Sequence, residues 1–461
     1  MADALAPSLP NSLAARDIAY HMHPQTNLAA HLTVGPHTIA RGDGAYVWDV
    51  DGNRYLEGMS GLWCTALGFS EERLIVAAET QLRTLPYYQS FGHRSVEPAT
   101  ELAEALIAIA PGKLAKAFFA NSGSEANDSA IKMVWYYNNA LGRPEKKKLI
   151  ARDRGYHGVG IISGSLTGLP NIHRSFDLPI SGVYHTRCAH WWREHGPGET
   201  EEAFSARCAA ELDALIEAEG PDTVAAFIAE PVMGAGGVMI PPKGYFAAIQ
   251  HVLKKHDVLL IADEVITGFG RTGAMWGSET FGLRPDILTC AKALSSAYQP
   301  ISAVLCTDDV FAPIARHAGE IGTFGHGFTY SGHPVACAVA LEAVKIYQER
   351  DLAKRAATLG QQLARGLAAL ADHPLVGEAR SVGLLGAVEL SGTKDIGGCF
   401  AKELAVPTRV ANAVKERGVF LRAINDSVAI CPPLIVSEDD LDLLLDSLRG
   451  GLDAVAAELG L

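Results

Sequence analysis

The segment Val258-Leu-Leu-Ile-Ala-Asp-Glu264 decides the fold class, because five consecutive apolar residues are followed directly by two carboxylates. A short apolar run without polar alternation is typical of a strand buried on both faces, as in a parallel sheet. Helical patterns alternate with this run and with three similar ones, at Lys116–Ala120, Val224–Ala229 and Asp286–Cys290. We therefore predict an α/β fold with a mostly parallel sheet covered by helices.

The pattern changes after about Gly332, where long amphipathic helices are predicted at Asp351–Leu370 and Asp439–Leu459. Short strand candidates lie between them, at Gly386–Leu390 and Val428–Cys431. Ser437-x-x-Asp440 is a capping box at the start of the last helix. This half of the chain is typical of a smaller α+β domain.

The N-terminal part contains a predicted strand pair in Tyr46–Asn53, with a turn at Asp51-Gly52. The pattern alone allows this pair to join either domain. We expect an N-terminal segment 1–65 that packs with the small domain, a large cofactor-binding domain 66–332 and a small C-terminal domain 333–461.

Composition excludes several classes of protein. Of the 461 residues, 48% are hydrophobic and 20% are charged, which is typical of a globular chain and not of a disordered one. The net charge of -13 disfavours nucleic acid and anionic membrane surfaces as partners. Met1–Asn11 lack the features of a signal peptide and no apolar run reaches the ~20 residues of a membrane span, so we expect a cytoplasmic protein.

The eight cysteines are far apart and form no Cys-x-x-Cys pair. We expect reduced thiols, mostly in the core, and neither a disulfide framework nor a four-thiolate zinc site.

Polar residues follow each of the four apolar runs. They are Asn121-Ser-Gly-Ser-Glu125, Glu230-Pro231, Asp263-Glu264 and Ala291-Lys292. In open parallel sheets, ligands bind beyond the carboxyl ends of the strands. These four segments are therefore the candidate site.

Three of these segments suggest separate chemical roles. Ser122, Gly123 and Ser124 begin a helix whose free N–H groups suit a phosphate, although a plain capped helix fits the pattern too. Asp263 ends a buried strand and needs a cationic partner, either a protonated heterocycle or a structural ion pair. Lys292 lies among small apolar residues that lower the pKa of its amine, and a surface lysine is the simpler alternative.

Together, a phosphate cradle, a buried carboxylate and an isolated lysine are what pyridoxal 5'-phosphate requires. The carboxylate pairs with the pyridinium nitrogen of this cofactor, and the amine forms an imine with its aldehyde. No other common cofactor needs this set of groups.

At these residues the sequence resembles the class III (omega) aminotransferases, pyridoxal-phosphate enzymes of fold type I, and looks closest to the amine:pyruvate members. The motifs span nearly the whole chain: Gly61–Cys64, Asn121–Glu125, Gly155–Gly158, Glu230-Pro231, Asp263–Gly273, Ala291-Lys292 and Phe328–Pro334.

The resemblance implies a role for each matching residue. Lys292 forms the Schiff base with the cofactor and Asp263 keeps its ring nitrogen protonated, while Glu230 orients Asp263. Ser122, Gly123 and Ser124 bind the phosphate, and Tyr156 and Val265 cover the two ring faces. Thr329 reaches the phosphate of the neighbouring subunit in a homodimer, possibly a tetramer, whose active site lies at the interface.

The resemblance also implies the substrates and the site that binds them. Trp63, Tyr156 and Arg422 match the substrate pocket, and Arg422 matches an arginine that clamps a carboxylate. The expected reaction is a ping-pong transfer of an amino group from a primary amine or omega-amino compound to a keto acid, with pyruvate expected. Gln25 replaces a phenylalanine that is frequent in amine:pyruvate relatives, which indicates a more polar pocket wall.

Two other kinds of activity fit parts of the sequence. Gly268–Gly273 fits the G-x-G-x-x-G pattern of an NAD-dependent dehydrogenase, but the residues that follow indicate a loop and not a helix. An aminomutase or a decarboxylase would keep both Lys292 and Asp263, so these residues do not exclude them.

A metal site was also considered. His185, Cys188, His190 and His195 match no standard zinc spacing, and neither do His21 and His23. We therefore expect no metal site.

Overall fold

The computed structural model describes residues 11–394 and 398–461. Residues 1–10 lie outside the described residues. They are the first part of the predicted segment 1–65, and they include most of the residues on which the signal-peptide prediction rests. The strands are β1 Ile39–Asp43, β2 Tyr46–Asp49, β3 Arg54–Glu57, β4 Leu114–Ala120, β5 Lys148–Arg152, β6 Val183–Thr186, β7 Val224–Ala229, β8 Leu259–Asp263, β9 Ile287–Cys290, β10 Ser302–Thr307, β11 Val376–Val382, β12 Leu385–Leu390, β13 Val419–Phe420, β14 Arg422–Ile424 and β15 Ser427–Ile430.

Helices connect most of these strands. They are α1 Leu13–Tyr20, α2 Leu28–Val34, α3 Ser60–Trp63, α4 Glu72–Thr84, α5 Glu97–Ile109, α6 Gly123–Ala140, α7 Ile161–Leu166, α8 Pro170–His173, α9 Trp191–Glu194, α10 Glu201–Glu219, α11 Tyr245–Lys255, α12 Gly277–Phe281, α13 Asp308–Ile321, α14 Pro334–Glu349, α15 Leu352–Ala368, α16 Val406–Lys415 and α17 Glu438–Leu459, with 3₁₀ helices at Lys292–Ser295 and Lys402–Leu404. No helix of the described ranges is long and apolar enough to cross a membrane.

The central sheet has seven strands in the order β4-β10-β9-β8-β7-β5-β6. The pairs from β9 to β6 are parallel, whereas β10 is antiparallel to both of its neighbours, so six strands share one direction. Strands β7, β8 and β9 are buried along their whole length. The predicted mostly parallel sheet is confirmed.

Asn121, Glu230, Glu264 and Lys292 follow the strands of this sheet that share one direction. Their side chains therefore start from the same edge of the sheet, as do those of the loop after β5. The order of the strands explains why segments far apart in sequence form one site.

A separate antiparallel sheet, β11-β12-β15-β14, forms the C-terminal part of the molecule. Helices α15 and α17 match the predicted long helices, and Ser437 and Asp440 form the predicted capping box at the start of α17. The antiparallel sheet and the two helices together confirm a small α+β unit.

The N-terminal strand pair also belongs with this part of the chain. Strands β2 and β3 form the predicted antiparallel pair, and β3 pairs in parallel with β13. This pairing selects one of the two placements that the pattern left open. The boundaries at 65 and 332 stay a prediction.

The Gly268–Gly273 segment does not begin a helix. Residues 265–275 are turns and bends, and α12 starts only at Gly277. A dinucleotide-binding motif needs a helix N-terminus directly after its glycines. The local structure therefore contradicts the hypothesis of an NAD-dependent dehydrogenase.

Candidate active site

One cavity of about 380 Å³ opens at the carboxyl edge of the central sheet. Eight of the residues predicted for the site line it, namely Ser122, Gly123, Ser124, Tyr156, Glu230, Asp263, Val265 and Lys292. These residues lie at the ends of five different strands, namely β4, β5, β7, β8 and β9. The fold therefore brings together side chains that are separated by up to 170 positions (from 122 to 292).

The N-terminus of α6 forms one wall of the cavity. Ser122 is the N-cap residue, and its hydroxyl oxygen accepts a hydrogen bond from the Glu125 amide at 3.2 Å. The Glu125 carboxylate accepts a hydrogen bond from the Asn121 amide at 2.8 Å, and not from the Ser122 amide as in a capping box. The first amides of the helix have no acceptor within the helix, and the helix dipole favours an anion at this end.

Two glycines allow close packing around this helix start. A Cβ atom on Gly158 would lie 2.5 Å from the Ser124 Oγ, and its φ of +133° disfavours other residues. A Cβ atom on Gly123 would lie 3.1 Å from a Val265 methyl. Larger side chains at either position would push the two walls apart.

Asp263 is buried at the base of the cavity, with 3% of its surface exposed. The Asn127 amide donates a hydrogen bond to Oδ2 at 2.8 Å, and the Nδ1 of His157 lies 2.8 Å from the same oxygen. Burial alone would raise the pKa of this carboxyl, but the hydrogen bonds from His157, Asn127 and the Val265 amide outweigh it and lower the pKa. Asp263 is therefore an ionised carboxylate at neutral pH.

Glu264 has a different role from its neighbour. Its carboxylate accepts hydrogen bonds from the amides of Gly277, at 2.9 Å, and Ser278. It is fully buried and outside the cavity. We assign it to holding the start of α12.

Lys292 lines the same cavity and takes the first position of a 3₁₀ helix. Burial lowers the pKa of its amine, although the Asp263 charge opposes this. Its backbone has a φ of +47°, a conformation that is uncommon for a residue with a side chain. Backbone strain of this kind is frequent at functional sites.

Glu230 is buried beside the loop that carries Tyr156. Its two oxygens accept hydrogen bonds from the Tyr156 amide at 2.9 Å and the Gly234 amide at 3.0 Å. Burial raises the pKa of its carboxyl. Within the described residues it forms no hydrogen bond with Asp263, so any orienting effect on that residue passes through the Tyr156-His157 backbone.

The three remaining predicted residues do not line the cavity within this single chain. Trp63 is buried in an apolar cluster that includes Ile266, itself a lining residue. Arg422 begins β14 at the surface, close enough to Tyr156 to act on its hydroxyl. Burial and the Asp263 charge raise the pKa of that hydroxyl, and the Arg422 charge opposes them. Thr329 is exposed, and its carbonyl accepts a hydrogen bond from the Tyr87 hydroxyl at 2.8 Å.

Two residues that hold Asp263, His157 and Asn127, are not among the predicted site residues. His157 lies in the quoted Gly155–Gly158 motif, so a signal for it existed. Asn127 lies one helical turn after Gly123 and gave no such signal. Thr289 fixes it by donating a hydrogen bond to its Oδ1 at 2.8 Å.

The histidine and cysteine residues named above as possible metal ligands each have a different partner. His185 and His195 each contact a backbone carbonyl, of Leu166 and Trp191 respectively. His190 contacts the Glu378 carboxylate at 3.0 Å, and the Cys188 sulfur lies beside Met239. The four residues do not converge on one point.

The cavity fits pyridoxal phosphate. It offers a helix N-terminus for the phosphate, an ionised buried carboxylate for the ring nitrogen and an amine of lowered pKa. Val265 and Tyr156 line the space between these groups.

Comparisons with known proteins agree with this arrangement. The family model for class-III aminotransferases matches residues 29–452. A gamma aminobutyrate transaminase 1, mitochondrial, from Solanum lycopersicum is 52% identical over 413 residues, which cover 89% of this chain and 80% of the relative.

Solved structures are also similar to this chain. The omega transaminase from Pseudomonas jessenii in complex with PMP superposes with a TM-score of 0.95 at 52% identity, covering 97% of this chain and 99% of that one. A transaminase solved with L-alanine has a TM-score of 0.90 at 54% identity, covering 92% and 100%.

Proposed function

Since the chain belongs to the class-III aminotransferases and depends on pyridoxal phosphate, we propose that it moves the amino group of a primary amine or omega-amino compound to pyruvate. The observation that carries this proposal is the position of Lys292 and Asp263 in one cavity with the N-terminus of α6.

Bound pyridoxal phosphate supplies an aldehyde that forms an imine with an amine and a ring that accepts electrons from the adjacent carbon. Ser122, Gly123 and Ser124 hold the phosphate through backbone N–H groups and hydroxyls. Asp263 stays ionised and keeps the proton on the ring nitrogen.

Lys292 has two tasks in this proposal. Its amine would hold the cofactor between reactions. When Nζ is free, its position in the cavity and its lowered pKa would let it accept a proton from the substrate carbon and give that proton back. Burial of the amine therefore serves both tasks.

Tyr156, Trp63 and Arg422 are proposed to bind the two substrates in turn. Tyr156 and Val265 cover the ring faces, and Arg422 pairs with the carboxylate of the keto acid. When the donor is an uncharged amine, Arg422 has no carboxylate to pair with and its side chain stays in solvent. Because one pocket serves both substrates, ping-pong kinetics follow.

Pyruvate is proposed as the acceptor because the sequence resembles amine:pyruvate enzymes, and a similar transaminase was solved with L-alanine, the aminated form of pyruvate. A donor panel of gamma-aminobutyrate, β-alanine, a diamine and an aryl-alkyl amine tests this. Each donor is incubated with pyruvate or 2-oxoglutarate, and the alanine or glutamate formed is measured. Absence of alanine with every donor would contradict the proposal.

We also propose a homodimer in which Thr329 reaches the phosphate of the other subunit. Its exposure in the single chain leaves it free to do so. Co-expression of K292A and T329A chains tests the idea. If Thr329 acts across the interface, a hybrid dimer has one intact site, with Lys292 from the T329A chain and Thr329 from the K292A chain. If Thr329 acts within its own subunit, the hybrid stays inactive.

A cytoplasmic location belongs to the proposal as well. The tomato relative is named mitochondrial, so cell fractionation with an antibody to the full chain provides the test.

A further inference from the structure

Three histidines surround one carboxylate near the N-terminus, far along the chain from the cofactor cavity. His23 and His31 each place an Nε2 near the Asp17 Oδ1, at 2.8 and 3.0 Å. The Nδ1 of His21 lies 3.4 Å from the Asp17 Oδ2. We call these four residues the Asp17 cluster.

The contacts of Asp17 have distances near those between neighbouring ligands of a metal site. Ligand bonds of roughly 2.0–2.1 Å place neighbouring ligand atoms about 3.3 Å apart in a zinc tetrahedron. The three distances from a histidine nitrogen to an Asp17 oxygen are 2.8, 3.0 and 3.4 Å. Ligand atoms of Asp17, His21 and His23 lie within 4.8 Å of one another, and His31 joins this group through its contact with Asp17.

The ligands are also of the right chemical type. Three imidazoles and one carboxylate suit Zn²⁺, and no thiolate is needed. The side chain of His31 is 10% exposed and that of Asp17 is 18% exposed, while His21 is 60% exposed. The cluster is thus half-buried but open to solvent on the His21 side.

Other groups of possible metal ligands differ from the Asp17 cluster because their carboxylates already pair with a lysine or an arginine. Asp213, Glu217 and His256 share their carboxylates with Lys255, and Glu378 and Glu389, which lie near His190, pair with Arg380. A protein cation already occupies those positions. In the described part of the chain, only histidines form ion pairs with Asp17.

The surrounding fold gives a metal a structural purpose. Helices α1 and α2 bury none of their residues, so they have no apolar core of their own. Asp17 belongs to α1 and His31 to α2, and their contact joins the two helices. A metal bound here would replace weak hydrogen bonds with coordinate bonds between the helices.

We propose that Asp17, His21, His23 and His31 form a structural Zn²⁺ site. His23 and His31 coordinate through Nε2 and His21 through Nδ1, each as the neutral tautomer with its proton on the other ring nitrogen. Asp17 gives one carboxylate oxygen, so the four ligands carry one negative charge and the loaded site one positive charge. No electron transfer is involved, and the inference is independent of the proposed function.

The test measures Zn²⁺ itself on the holoenzyme. The protein is dialysed against a chelator, loaded with Zn²⁺, and the metal per chain is measured by mass spectrometry and by titration calorimetry. We expect one equivalent for the wild type and for His251→Ala, which removes an exposed histidine elsewhere. His31→Ala and Asp17→Asn should lose this equivalent or bind it at least about tenfold more weakly.

Asp17→Asn guards against misfolding, because asparagine keeps the shape of the side chain and removes only the charge. Co²⁺ gives a second readout, since a tetrahedral site produces visible absorption bands that His31→Ala should abolish. The proposal is wrong if the wild type takes up no Zn²⁺, or if both variants bind Zn²⁺ and Co²⁺ as the wild type does.

Discussion

The Nδ1 of His157 lies 2.8 Å from the Oδ2 of Asp263, and both residues are buried. This contact lowers the pKa of a carboxyl whose pKa burial alone would raise. The ionised state of Asp263 therefore depends on its hydrogen bonds, and among these the contact with His157, from the loop after β5, has the largest effect.

Replacing His157 by phenylalanine should raise the pKa of Asp263 and reduce catalysis. A hydrogen bond to a charged group contributes about 1.5–3 kcal/mol, so kcat should fall roughly tenfold to a hundredfold. Steady-state kinetics and the pH dependence of the cofactor absorption provide the measurement. His173→Phe, which removes a contact to the Gly164 carbonyl outside the cavity, is the control. An unchanged pH profile in His157→Phe would show that Asp263 does not need this partner.

Lys292→Ala should abolish transamination and the visible absorption of the bound cofactor. Among the described residues that line the cavity, Lys292 is the only lysine, so no other amine there can take its place. Borohydride reduction followed by peptide mapping checks the assignment in the wild type. Lys254→Ala, at an exposed position on α11, should keep both activity and absorption. A reduced label on another peptide would refute the assignment.

The four strand ends that form the site could be predicted from sequence because each combines two local signals. A run such as Val224–Ala229 has to be buried on both faces, and the polar residue after it falls at the sheet edge. Parallel packing then brings these edges together. The prediction needed no knowledge of which strands are neighbours.

The partners of Asp263 could not be predicted in the same way. His157 and Asn127 are 106 and 136 positions from it, and no periodic pattern links such distances. The reversed direction of β10 was missed too, although the chain from Cys290 to Ser302 contains only a 3₁₀ turn. A parallel connection needs a dozen or more residues and usually a helix, so this short link already implied reversal.

Arg422→Ala should slow the half-reaction with pyruvate far more than the half-reaction with an uncharged primary amine. Loss of a charge-assisted contact with a carboxylate costs about 1.5–3 kcal/mol, which predicts a loss of roughly tenfold or more for pyruvate alone. Single-turnover absorbance measurements separate the two half-reactions. Arg409→Ala, which removes a surface pair with Glu458, should change neither. Equal losses for both substrates would argue against Arg422 as the carboxylate partner.

Glu57→Gln should alter how stability depends on pH. Glu57 is 9% exposed and accepts a hydrogen bond from the Met59 amide at the start of the turn that carries Trp63. Burial raises the pKa of its carboxyl from 4.5 to about 7. The folded protein therefore holds this proton more tightly than the unfolded chain does.

The direction of the pH effect on stability follows from this difference between the folded and the unfolded chain. The stability contributed by protonated Glu57 is complete below pH 4.5 and is lost as pH rises through about 7. Glutamine does not titrate. Between pH 4.5 and about 7, the free energy of unfolding of Glu57→Gln should therefore rise by about 3 kcal/mol relative to that of the wild type. Urea unfolding at a series of pH values measures it, and Glu57→Asp, which keeps a carboxyl, should retain the wild-type trend. A difference between Glu57→Gln and wild type that stays constant with pH would mean that Glu57 is ionised in the folded protein throughout.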